Sequence, residues 1–133
     1  MRRARIPSSE RAGVTFLELA TVLAVVGILS LMGYAAVAEA RKSACRVRAR
    51  AALDQVYRSE ILHSAIHGRF TADFAALQSM GLPERLDPLY RFGLATPAAG
   101  AFRCEAWANL DPDNGVDSLA VDETGVVRSL AKD

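Results

Sequence analysis

Gly13-Val14-Thr15-Phe16-Leu17-Glu18-Leu19 opens the segment on which the fold turns. From Val14 to Val37 the chain has one charged residue, Glu18. Wound as a helix, such a run is long enough to cross a bilayer. A carboxylate within hydrocarbon is costly, and residues of this kind usually serve a function. Arg2, Arg3, Arg5 and Arg11 precede the run and favour a cytoplasmic N-terminus. Arg41, Lys42, Arg46, Arg48 and Arg50 follow it closely, so charge bias alone leaves the orientation open. A secretory signal peptide has a shorter apolar core and a small-residue cleavage site after it. Here the run continues to Ala36-Val37-Ala38 and passes straight into Glu39-Ala40-Arg41-Lys42. A plain single-pass anchor accounts for the length of the segment but has no use for Glu18.

The combination of a short basic leader ending in Gly13, a Glu at the fifth position after it and a long apolar helix resembles the type IV pilin and pseudopilin family. Thr15, Glu18, Leu19, Gly27, Ile28 and Leu29 stand where the pattern of that family puts them. The resemblance covers Gly13 to Gly33 and weakens beyond. Val14 departs from the usual Phe at the start of the mature chain, and Ala35 stands where many major pilins have Pro. The resemblance implies cleavage after Gly13 by a prepilin peptidase and methylation of the new amino group of Val14. It also implies that this amino group on one subunit docks against Glu18 of another. Partners would be other pilin or pseudopilin subunits, an inner-membrane platform protein and, through it, an assembly ATPase. The implied place is the inner membrane, single-pass with a cytoplasmic N-terminus before processing, and then a periplasmic or extracellular filament. Val14, Ala35 and the small domain favour a minor pilin or pseudopilin of a pilus, type II secretion or competence system. Two other classes stay open: an adhesion or DNA-uptake receptor built on the pilin scaffold, and a plain anchored periplasmic domain.

The chain has 133 residues and a formal charge of +1. Residues 1–13 hold four Arg and one Glu, and without them 12 basic residues face 14 acidic ones, a charge of −2. That balance does not point to nucleic acid. The organisation expected is a leader over 1–13, a membrane or filament-core helix over 14–38 and an exported domain over 39–133.

Glu39 to His67 has no Pro or Gly and reads as a continuation of the membrane helix, ended by Gly68. Cys45, Ala49, Ala52, Val56 and His63 fall on a narrow arc at the helical period, suited to packing on a sheet. Lys42, Arg46, Arg50, Asp54 and Arg58 form a neighbouring charged stripe, read either as a solvated face with some internal ion pairing or as a surface that meets acidic groups of neighbouring subunits. In the connector after Gly68, Thr71 is placed to cap a short helix through Asp73, Phe74 and Leu77. Strands are expected over Leu89 to Ala95, Ala101 to Leu110, Asp117 to Val121 and Val126 to Leu130, with Phe102, Cys104, Ala106 and Ala108 on one face. The fold class is therefore α+β, a long N-terminal helix on an antiparallel meander of three to four strands.

Several side chains outside the helix start are candidates for chemistry. Gly27 and Gly33 suit either close helix–helix approach or local melting. Cys45 and Cys104, the only cysteines, permit one disulfide in an oxidising compartment, with two separate buried thiols as the competing reading. Asp111, Asp113 and Asp117 alternate as in a calcium loop but lack its closing Glu, and an Asx turn between strands explains them as well. His63 and His67 have metal-ligand spacing on a helix but no evident third ligand, so a structural role is expected, and no cofactor is expected beyond calcium. Tyr90 and Trp107 are expected to be partly buried. The chain has no nucleophile–base arrangement, phosphate loop or redox cysteine pair, and the reading is of a non-enzyme.

Overall fold

A computed structural model describes residues 15–110 and 115–131. Helix α1 spans Phe16–His67 and α2 spans Phe74–Gln78; strands β1 to β4 span Arg91–Ala95, Arg103–Ala108, Asp117–Asp122 and Arg128–Ala131. The fold is α+β: a long N-terminal helix packed on a four-stranded antiparallel sheet of order β1-β2-β3-β4. The chain divides into two compact units between Glu39 and Ala40, and α1 contributes to both.

The first unit consists of the α1 residues up to Glu39. It is long and apolar enough to cross a membrane. Its large apolar side chains, Phe16, Leu23, Leu29, Leu31 and Met32 among them, are exposed. Two hydroxyls within it turn back on the helix: Thr21 donates to the Leu17 carbonyl at 2.8 Å and Ser30 to that of Val26 at 2.7 Å. Each hydroxyl thereby finds its partner inside its own helix.

In the second unit, the α1 residues from Ala40 onward bury one face. Ala49, Ala52, Leu53, Val56, Ser59, Glu60 and His63 are buried at spacings of three and four, the helical period. Opposite them stands the inner face of the sheet: Phe102, Cys104, Ala106 and Ala108 around β2, and Leu119 and Val121 of β3. Leu77 of α2, Leu82 and Tyr90 close the core. The alternation in β2 is that expected from the sequence, with Arg103 and Trp107 on the opposite face. Gly68, at φ +71°, ends α1 with a conformation that costs other residues more.

Three expectations are corrected at their boundaries. Strand β1 begins at Arg91, because the amides of Leu89 and Tyr90 already donate to Asp87 Oδ1 at 2.8 and 3.3 Å. Helix α2 is capped by Asp73, which accepts from the Ala75 amide at 2.9 Å, and not by Thr71. The Thr71 hydroxyl instead accepts from the Asp73 amide at 3.1 Å. Strand β4 begins two residues later than expected, after an Asx turn in which the Asp122 carboxylate accepts from the amide and hydroxyl of Thr124. Its pairing with β3 carries a register shift at Ser118/Leu119, and all four of its residues are exposed.

Candidate functional site: the helix start and the helix–sheet junction

At its start, α1 is held by a reciprocal cap. The Thr15 amide and hydroxyl donate to Glu18 Oε2 at 2.9 and 3.1 Å, and the Glu18 amide donates to the Thr15 hydroxyl at 3.2 Å. This is the capping box, which satisfies donors that the first helical turn leaves free. The Thr-x-x-Glu spacing is its signature, so this second role of Glu18 was readable from the sequence. Gly13 and Val14 lie outside the described residues. Gly27 and Gly33 sit within the exposed helix, and a Cβ at either would meet nothing within 4 Å. Among the described residues, nothing demands their small size.

At the junction of helix and sheet, three polar side chains converge in the core. Arg46 Nε donates to Asp117 Oδ1 at 2.9 Å, and the Tyr90 hydroxyl donates to Asp117 Oδ2. Asp117 is fully buried. Burial raises the Tyr90 pKa, and the hydrogen bond to Asp117 raises it further. Arg48 adds a looser contact to Asp87 at 3.6 Å. Asp117, read from the sequence as one member of a calcium loop, has its oxygens in the core, where the Arg46 guanidinium and the Tyr90 hydroxyl bond them. Asp111 and Asp113 lie outside the described residues. Among the described residues, no three His, Cys, Asp or Glu side chains are gathered to hold a metal.

Cys45 and Cys104, which the sequence permits to bridge, are both free thiols in this structure. Cys45 lies at the Tyr90 end of the junction, close enough for its charge to act on that phenol. Cys104 feels the charge of Glu60 instead. Fifteen residues of α1 separate Cys45 from Glu60, an axial rise of about 22 Å. A disulfide needs Cα atoms within about 7 Å. Asp117, the partner of Arg46, pairs with Ala108, which lies four residues and about 13 Å along β2 from Cys104, so the two cysteines stand at different heights where helix and sheet meet. Burial pushes the Cys104 thiol up to about 12, with the charges of Glu60 and Glu105 adding to the shift. It behaves as a small apolar residue.

His63 and His67 stack at 4.3 Å between ring centroids. Their Nδ1 atoms lie 2.9 Å from the Arg69 carbonyl and 3.2 Å from the His63 carbonyl. Since carbonyls only accept, both Nδ1 atoms carry the proton, and the pair finishes the C-terminal turn of α1.

One buried residue escaped the sequence reading. Glu60 is fully buried, its Oε2 accepts from the Thr71 amide at 3.1 Å, and its Oε1 has no partner among the described residues. Its position, four residues after Val56 and three before His63, places it on the apolar arc. Desolvation raises its pKa, against the hydrogen bond from Thr71 and the charge of His63. Comparison with protein-family models and with curated proteins finds no match for this chain.

Proposed function

We propose that this chain is a type IV pilin-like subunit that polymerises through α1 into a pilus or a related secretion or competence pseudopilus. The observation that carries the reading is the lone carboxylate, Glu18, at the start of an exposed apolar helix that continues without a break into a helix packed on an antiparallel meander. An apolar surface of that extent needs lipid, other helices or both to cover it. The open space around Gly27 and Gly33 supports close approach by a neighbouring helix. In the unassembled subunit Thr15 satisfies Glu18. In a filament, the amino group of a neighbour's Val14 supplies a full positive charge to the same carboxylate, a stronger partner than a neutral amide. The second unit then forms the outer surface, anchored on the periplasmic side of the inner membrane until assembly.

Two measurements test the reading. Intact mass and N-terminal sequencing of membrane-extracted protein are expected to show a chain beginning at methylated Val14. A chain still beginning at Met1 in a host with active prepilin peptidase refutes it in favour of a plain anchor. Glu18→Ala is expected to leave processing intact and to abolish incorporation into sheared filaments; incorporation at the wild-type level refutes docking through Glu18.

A further inference from the structure

Glu60 stands at the head of a continuous line of hydrogen bonds. Its Oε2 accepts from the Thr71 amide at 3.1 Å, the Thr71 hydroxyl accepts from the Asp73 amide at 3.1 Å, and Asp73 accepts from the Ala75 amide at 2.9 Å to cap α2. One buried side chain on α1 therefore holds the connector that follows it and, through the connector, the start of the next helix. A second tie runs alongside, from His63 Nδ1 to the Arg69 carbonyl at 2.9 Å. Between the two ties lies Phe70, whose ring packs 5.0 Å from that of Phe102, centroid to centroid. Releasing the ties uncovers part of the core.

The carboxylate at the head of the line is poorly matched to its surroundings. Oε1 is buried without a donor among the described residues. The titratable groups facing Glu60 are His63 on its own helix and the Cys104 thiol on β2. Cys104 is itself held in its neutral form by burial. The connector contributes one amide, that of Thr71. A neutral carboxyl tolerates this setting far better than an ionised one, whose charge requires more than a single hydrogen bond when water is excluded. In the connector that covers it, Arg69 and Ala72 are exposed to water.

We infer that residues 69–76 form an acid-closed clasp: with Glu60 neutral the connector is tied down on Phe102, and ionisation of Glu60 lets it lift so that water reaches the carboxylate. The direction agrees with the raised pKa of the group, which moves its titration upward from its ordinary value of 4.5. The inference rests on the second unit alone and stands apart from the filament reading.

Hydrogen exchange read by mass spectrometry on the full chain in detergent micelles tests it, with rates corrected for the chemical pH dependence of exchange. Protection of residues 69–76 is expected to fall about tenfold, or about 1.4 kcal/mol, between about pH 4 and about pH 8. Protection of residues 103–108 in β2 is expected to stay level. In Glu60→Gln, which keeps the acceptor for Thr71 but cannot ionise, both segments stay level. Unchanged protection of 69–76 in the wild type, an equal fall in both segments, or the wild-type fall persisting in Glu60→Gln would each overturn the clasp. Should Glu60→Gln not fold, the two wild-type segments decide the matter by themselves.

Discussion

The two halves of α1 obey the same backbone geometry and opposite rules of burial. Up to Glu39 the helix is apolar nearly all round, and its large side chains are exposed. From Ala40 to His67 it buries one stripe and turns Arg41, Arg50, Asp54 and Arg58 outward. A helix apolar on every side is made for a surround that the chain does not itself supply, whereas a striped one is completed by its own sheet. Polar residues follow the same division. In the first half, Glu18, Thr21 and Ser30 bond within the helix over three or four residues. In the second, Arg46 reaches Asp117 across 71 residues.

The sharpest way to break this comparison is to truncate one leucine in each half. Leu53→Ala, in the fully buried stripe, is expected to destabilise the domain by about 3–4 kcal/mol, the usual cost of a core cavity. Leu29→Ala, on the exposed half, is expected to change it by less than about 0.5 kcal/mol. Chemical unfolding in micelles followed by the single tryptophan, Trp107 on β2, separates the two. Equal effects would mean that the first half is part of the folded core.

A somewhat smaller loss, about 3 kcal/mol, is expected for Asp117→Ala, which leaves Arg46 and Tyr90 without their shared acceptor. Adding calcium to the wild type is expected to leave its melting temperature unchanged, and a clear rise would support the calcium reading of this segment.

Much of the fold was legible because it follows from local periods. The apolar arc of Ala49, Ala52 and Val56 and the alternation of Phe102, Cys104, Ala106 and Ala108 name the two faces that meet. The bonds of Asp117 were not legible, because its neighbours in sequence are Asp-rich while Arg46 and Tyr90 are distant in sequence and only the folded sheet brings them near. Glu60 was missed because a charged residue on an apolar arc contradicts the pattern being sought, and its justification is the Thr71 amide, eleven residues on. The cysteines show the limit of face assignment: sharing a buried face fixes the direction of a side chain but not its height along the helix. Thr15–Glu18 was readable, but attention to the carboxylate as a docking group hid its plainer capping work.

The smallest effects lie in the pH profile, and they carry opposite signs. The pKa of Glu60 is raised, so its contribution is complete below the ordinary value and is lost as pH rises through the folded one. Glu60→Gln is therefore expected to flatten the fall in melting temperature on the alkaline side of about pH 5. The pKa of Asp122 is lowered by its bonds from Thr124, so its contribution is present above the ordinary value and is lost as pH falls. Asp122→Ala is expected to flatten the acid limb by a smaller amount, since the turn is solvent-exposed and Arg128 stands only 4.0 Å away as a weak partner. Thermal melts of both variants across pH check the signs, and a shared sign would overturn the assignment.

The last strand bears on a hazard that any crowded array of identical domains must face. Open sheet edges can zip together and grow into fibres by backbone pairing. Strand β4 is four residues long, begins at Arg128 and pairs with its neighbour through a broken register. A short, charged and irregular edge is a poor template for a foreign strand.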